Sequence, residues 1–183
     1  MTGAVEMIRR YGDPCLRRRA EAVDPAAPAT LALREDLWTT LAADGGVGLA
    51  APQIGQDQRV IVVRDPSRPR GQQRLDLVNP VITATFGPRV PFAEGCLSFP
   101  DLYIDIVRPQ GVTVEHDTSG GRATLQDDGL VARIIQHEVD HLNGVLFIDH
   151  LTPARRVSLW PQLTWIGLVG LKNRVLPRKG ARG

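Results

Sequence analysis

Apolar side chains first recur at helical spacing over residues 30–43, where Leu33, Leu37, Trp38 and Leu41 share a face and Gly45-Gly46 supply a stop. Downstream the period shortens. β-Branched runs broken by turn residues predict strands over 59–64, 75–78, 103–107, 112–115 and 123–126. A second helix is predicted from Asp127-Asp128, either of which can cap it, to about Asn143, with Gly144 at its stop. The opening segment, 8–20, is interrupted by Gly12-Asp13-Pro14 and reads as an extended arm with a short helical turn. Strands grouped between helices, not alternating with them, predict an α+β domain: antiparallel β-sheets packed around a central helix, the second of the two.

The chain has 183 residues, 43% of them apolar and 23% charged, which fits one globular domain with its own core. A net charge of +2 is too small to argue for a nucleic-acid partner, and DNA is not expected. The distribution changes the picture more than the total does. No acidic residue follows Asp149, whereas Arg155, Arg156, Lys172, Arg174, Arg178, Lys179 and Arg182 do. The chain divides into a nearly neutral body, 1–152, and a basic extension, 153–183, which could touch RNA or another anionic surface or simply be a solvated terminus. Cys15 and Cys96 are the two cysteines, so no disulfide framework is being built and a reducing compartment suits them. Residues 1–10 lack the apolar run of a signal peptide. The longest apolar stretch, 160–171, is broken by Pro161, Gln162 and Gly167 and falls short of the ~20 residues of a membrane span. The expectation is a soluble cytoplasmic protein without a membrane partner.

Chemistry concentrates in the second helix, at His137-Glu138-Val139-Asp140-His141. Residues four apart lie on one helical face, so both imidazoles can reach a single ion. Glu138 is rotated roughly 100° from His137, placed to act on a water as general acid/base without filling a ligand position. Two of the chain's four histidines fall in this pentapeptide. The third ligand then decides the class. A metzincin needs a histidine where Phe147 stands, and a thermolysin-like site needs a downstream Glu, of which there is none after Glu138. Upstream, Cys96 in Glu94-Gly95-Cys96-Leu97-Ser98 supplies a thiolate. With His137 and His141 it gives three protein ligands and an open fourth position, the catalytic arrangement. The plain alternative for Cys96 is a buried free thiol. A third segment, Gly46 to Gly55 (GVGLAAPQIG), begins like a dinucleotide fingerprint. It follows a predicted helix where a strand is needed, and Pro52 and Gly55 leave no room for the ~10-residue crossover helix.

Taken together, GVGLAAPQ (46–53), EGCLS (94–98) and HEVDH (137–141) resemble the peptide deformylases, whose marks are G-φ-G-φ-A-A-x-Q, E-G-C-φ-S and H-E-x-D-H in this order. The similarity runs from about Arg10 to about Leu151, and the short gap between the first two segments is similar to bacterial and organellar members, which lack an insertion there. The resemblance implies hydrolysis of the formyl group from the N-terminal formyl-methionine of nascent polypeptides. It implies one divalent ion, ferrous iron in the first instance, with nickel, cobalt or zinc accepted. Gln53 and the backbone N–H of Leu97 match the positions that stabilise the oxyanion. Gly46 and Gly48 would let a substrate backbone approach, and Val47, Leu130, Ile134 and His137 would line the slot for the methionine side chain. Leu130 and Ile134 are explained equally well as core. Glu94 is expected to pair with Arg108 and hold the Cys96 loop. The tail sequence WPQLTWIGLVGLKNRV departs from the charged C-terminal helix of the family. Its basic residues suggest a contact with the ribosome, and the alternative is that Trp160, Trp165 and Leu168 pack on the body. Two rival readings remain: a catalytically silent deformylase-like binding protein on the ribosome, and a structural metal site with Cys15, His116 or His150 as fourth ligand. Intact Glu138 and Gln53 argue against the first.

Overall fold

The structure, a computed structural model, describes residues 3–175. Helix α1 (Pro28–Asp44) is followed by strands β1 (Gly48–Ala50), β2 (Val60–Arg64), β3 (Arg74–Cys96), β4 (Phe99–Thr118) and β5 (Gly121–Asp127). Helices α2 (Leu130–Leu142), α3 (Pro153–Ser158) and α4 (Trp160–Val175) follow. The strands form one sheet in the order β1-β2-β3-β4-β5, antiparallel at every junction. The expected α+β class and antiparallel pairing are therefore present.

The run Val60-Ile61-Val62-Val63 shows why two helices are needed. Successive strand residues point to opposite faces. Ile61 and Val63 join Leu77, Val112 and Val114 against Val131, Ile135, Val139 and Leu142 of α2. Val60 and Val62 instead pack with Leu33, Leu37, Trp38 and Leu41 of α1. Each such side chain, fully buried, contributes about 1.5–3 kcal/mol over an exposed one. A third cluster joins Leu16, Phe99, Ile104, Ile106 and Phe147 to Leu163 and Ile166 of α4.

Helix α2 is central: eleven of its thirteen residues are buried, among them Arg133, Gln136, His137, Glu138 and His141. The N-cap is Gly129 rather than Asp127 or Asp128, but the Asp127 side chain still serves the first turn. Its Oδ1 accepts from the backbone N–H groups of Gly129 at 2.9 Å and Ala132 at 2.7 Å. Gly144 closes the helix end with φ 72°.

Two strand expectations are corrected. The segments 103–107 and 112–115 belong to one strand, β4, and β3 continues from Leu75 through Cys96. Pro80, Pro88 and Pro91 lie inside β3, and Pro109 and Gly111 inside β4. Register shifts at Val78/Val81 and Phe86/Arg89 accommodate Pro80 and Pro88, whereas Pro91, Pro109 and Gly111 pair with Val107, Arg89 and Phe86. Much of β3 beyond Pro80 is exposed, so no buried alternation advertised it. The three-residue β1 is too short to show a period at all.

The tail is helical through α3 and α4, but its packed face differs from the one expected. Leu163 and Ile166 are buried, whereas Trp160, Trp165 and Leu168 are 68%, 57% and 57% exposed. The helix turns Leu163 and Ile166, three apart and so on one face, toward the body. Arg178, Lys179 and Arg182 of the basic extension lie outside the described residues. Among the described residues no helix is long and apolar enough to cross a membrane.

Gly144 carries a testable consequence. Beyond its positive φ, a Cβ there would fall 2.5 Å from the backbone carbonyl oxygen of Arg17, where the arm crosses the end of α2. Gly144→Ala is expected to lower stability by at least about 1–3 kcal/mol, the usual cost of a left-handed non-glycine residue. Urea unfolding measures this, and an unchanged midpoint would show that the arm does not seat against Gly144.

Candidate metal centre

His137 and His141 stand one turn apart on α2, their ring centroids 5.1 Å apart. Cys96 is the last residue of β3, at the tight turn into β4 where it pairs with Phe99. The turn lays its sulfur against the helix, with Sγ 3.3 Å from His141 Nε2. One ligand atom from each of Cys96, His137 and His141 lies within 4.8 Å of the other two. Among the described residues no other group of three such side chains is brought together. Two donors held at ~2.3 and ~2.1 Å from one ion at a tetrahedral angle would be ~3.6 Å apart, close to the observed sulfur–nitrogen spacing.

At His141 the protonation chemistry also fits a cation. His141 is buried, and burial, reinforced by the positive side chains nearby, holds its imidazole well below the usual range and so neutral. A neutral imidazole is the ligand form. For His137, burial alone would do the same, but Cys96 and Glu94 outweigh it and raise its proton affinity. Its Nδ1 faces Glu94 Oε2 at 2.9 Å, which leaves Nε2 for the cleft. Two buried polar atoms here, Glu138 Oε2 and His141 Nδ1, have no hydrogen-bond partner. The donor set of one thiol and two imidazoles around an unsatisfied carboxylate suits a divalent ion with a water beside it.

Glu138 is pushed up to about 7, chiefly by burial, with the charge of His137 opposing. A carboxyl poised there can both accept and return a proton at neutral pH. Gly48 makes room for it: a Cβ at that position would fall 2.5 Å from Ile134 Cγ2 and 2.6 Å from Glu138 Oε1. Gln53, in a single 3₁₀ turn (Ala51–Ile54), accepts from the Ala50 N–H at 2.9 Å through Oε1. That bond turns its amide NH₂ to the site, 3.3 Å from Ser98 Oγ and 3.5 Å from Cys96 Sγ. Leu97 follows Cys96 in the β3–β4 turn, and its carbonyl accepts from the Arg10 guanidinium.

Glu94 and Arg108 meet as expected, through Nε–Oε1 at 2.7 Å and Nη2–Oε2 at 3.1 Å, both groups buried. Burial alone would raise the Glu94 carboxyl, but hydrogen bonds with His137 and Arg108 outweigh it and bring it to about 2. Sequence reading missed the rest of this network. Arg133 donates to Glu94 Oε1 at 3.1 Å, and Arg108 reaches on to Asp140 at 2.6 Å. The signals were available: Arg133 is one helical turn before His137, and Asp140 is inside the pentapeptide itself.

A cleft of about 560 Å³ opens over these groups. Gly46, Val47, Gly48, Gln53, Glu94, Cys96, Leu97, Leu130, Ile134, His137 and Glu138 all line it, while His141 and Arg108 lie behind the wall. Leu130, left open between core and cleft, is 41% exposed at the mouth. Ile134 serves both, since it is buried in the α2 cluster and still lines the cleft. Arg10, Phe92 and Tyr103, which the sequence did not single out, also face it. Neither Cys15 nor His150 joins the metal-type cluster. Cys15 Sγ lies 3.5 Å from the Pro52 carbonyl oxygen, and His150 Nε2 is 2.7 Å from Asp140 Oδ2. His116, on β4, is likewise outside it.

Comparison with known proteins agrees with this geometry. The sequence pattern of the family described as polypeptide deformylase matches residues 5–157. The peptide deformylase of Halothermothrix orenii is 42% identical over 146 residues, 79% of this chain and 92% of that one. The peptide deformylase of Treponema pallidum is 40% identical over 150 residues, 81% and 90% of the two chains. A crystal structure of a plant peptide deformylase superposes with a TM-score of 0.86 at 34% identity, covering 97% of each chain. One from Legionella pneumophila gives 0.80 at 34% identity, covering 97% of this chain and 100% of that one. With the match running from the arm through the cleft and the central helix into α3, the chain belongs to the polypeptide deformylase family.

Proposed function

We propose that this protein removes the formyl group from the N-terminal formyl-methionine of nascent polypeptides. The observation that carries the reading is the convergence of Cys96, His137 and His141 beneath a cleft that also holds the unpartnered carboxylate of Glu138. Those three side chains would hold one divalent ion, with ferrous iron implied by the family and nickel, cobalt or zinc compatible with the same donors. Such an ion supplies two things: a water acidified toward neutral pH and polarisation of the formyl oxygen. Glu138 accepts a proton from the attacking water and returns it to the departing amine nitrogen. The amide NH₂ of Gln53 and the N–H of Leu97 donate to the oxyanion as it develops. Strand β1 is the edge of the sheet, so a substrate backbone can pair along Gly46, Val47 and Gly48 as an added strand. Val47, Leu130 and Ile134 receive the methionine side chain. Glu94, fixed by Arg108, orients His137.

In this reading residues 1–152 are the catalytic unit, acting in the cytoplasm, and 153–183 a basic extension. Its seven cations with no acid support a contact with ribosomal RNA, next to which the substrate emerges. The rival reading, a silent binding protein, finds no support among the relatives.

Glu138→Gln keeps shape but removes the base. It is expected to retain metal while formate release from a formyl-methionyl tripeptide falls by about 10²–10⁴-fold. Near-normal turnover would place the proton transfer elsewhere. Cys96→Ala should instead lose the ion itself, seen as a substoichiometric metal content after anaerobic purification; full metal occupancy would exclude the thiolate as a ligand. Truncation after Leu171 should spare tripeptide hydrolysis and weaken co-sedimentation with ribosomes at low salt, the difference shrinking as salt rises. Equal sedimentation of both forms at low salt would remove the ribosome contact from the reading.

A further inference from the structure

Gln53 and Leu97 come from separate parts of the fold, and the sheet does not fix the distance between them. Gln53 follows β1, at the sheet edge, whereas Leu97 is at the far end of the β3–β4 hairpin. Strand β3 pairs with β2 only over residues 74–78, well before Leu97. Besides the direct approach of Gln53 Nε2 to the turn at Cys96 Sγ and Ser98 Oγ, the N-terminal arm spans the gap through three successive residues. The Arg9 N–H donates to the Gln53 carbonyl at 2.7 Å, the Arg10 guanidinium donates to the Leu97 carbonyl, and the Tyr11 N–H donates to the Ser98 carbonyl at 3.0 Å. The Tyr11 ring packs on Phe99 with centroids 5.0 Å apart, and Gln53 Nε2 reaches Ser98 Oγ at 3.3 Å. The arm is itself backed by α4. A Cβ on Gly170 would fall 2.7 Å from Arg10 Cβ, and one on Gly12 would meet Gly167 Cα at 3.6 Å. Helix backbone therefore closes the space behind Arg10 and directs its guanidinium toward the turn.

We infer that Arg10 is a positioning residue for the oxyanion pair: by holding the Leu97 carbonyl it restricts the backbone of Leu97, the residue whose N–H is the proposed donor, relative to Gln53. The inference rests on the role proposed above for Gln53 and Leu97. Two of the three arm hydrogen bonds are made by main chain, so among these three the Arg10 side chain is the one that a substitution removes. A planar guanidinium reaching a carbonyl across a turn restricts it in direction as well as distance, which a lysine does less well. Because a donor matters in the transition state and little in ground-state binding, its misplacement lowers kcat and leaves KM.

The test compares the metal-loaded full-length protein with Arg10→Ala and Arg10→Lys, using formate release from a formyl-methionyl tripeptide and hydrogen exchange of the 96–100 turn. Arg10→Ala is expected to lower kcat by about 10–100-fold, within the range for a misplaced or weakened oxyanion donor. KM, metal content and unfolding midpoint should stay near those of the unsubstituted protein, and exchange at Leu97 and Ser98 should speed up. Arg10→Lys should recover part of both losses. Unchanged kcat and exchange in Arg10→Ala would overturn the inference. So would a raised KM at constant kcat, which would make Arg10 a substrate contact at the cleft it lines. A lowered midpoint or lost metal that tracks the kcat loss, without rescue by lysine, would make it merely structural. If the unsubstituted protein releases no formate, the proposed function fails instead, and exchange at the turn still decides whether Arg10 holds it.

Discussion

Glu94 lies in the last turn-proximal stretch of β3, buried from water, and accepts four hydrogen bonds from three side chains. Two come from Arg108 of β4, one from Arg133 and one from His137 of α2. An ionised carboxylate in such a place is tolerable only because its charge and lone pairs are all answered. The same carboxylate that ties the long hairpin to the central helix also fixes the ring of His137. Fold and site therefore share one interaction. Taking away one partner would strand the others in a dry interior, where an uncompensated buried charge costs about 3–5 kcal/mol. From Glu94 the network runs outward through Arg108 to Asp140 and on to His150 at the surface. It also runs inward, through His137, toward Cys96 and His141.

Helix α2 is built to carry opposite demands on its two sides. Val131, Ile135, Val139 and Leu142 anchor it to the sheet through apolar contact, which is non-directional and makes the helix rigid. That anchorage lets the other side keep Glu138 and His141 out of water. Their proton affinities move in the directions that hydrolysis at a metal requires, the carboxyl up and the imidazole down, and in both cases burial is the leading cause. A glycine on the facing strand completes the arrangement. At Gly48 any side chain would occupy the space of Ile134 and the Glu138 carboxylate.

Fold class and the kernel of the chemistry can be read from the order of residues alone. A helical period located α1 and an apolar β-branched run located β2, because each buries its apolar residues in a cluster, whereas α2 was bounded by its Asp127-Asp128 and Gly144 signals. The i, i+4 spacing of His137 and His141 is set by helix geometry alone, so it was legible without any tertiary information. The metal-type grouping with Cys96 was reached by eliminating downstream ligands and by motif resemblance; its closeness to the helix is a long-range fact that only folding produces.

Whatever depends on contacts between distant segments became visible only in the folded chain. The merging of 103–107 and 112–115 into β4, and the extension of β3 across its prolines, follow from pairing between two strands that are each irregular alone. The face that α4 turns to the body was invisible, because its sequence is apolar on more than one side and Leu163 and Ile166 are chosen by the cluster they meet. Arg133 and Asp140 gain their partners only because the hairpin brings Glu94 and Arg108 against the helix. Arg10 lay in an arm with no periodic signal, and only the docking of that arm against the β3–β4 turn shows what its guanidinium holds. Local periodicity records how a segment meets its own neighbours in sequence, whereas the partners of a buried charge are set by where the whole chain places it.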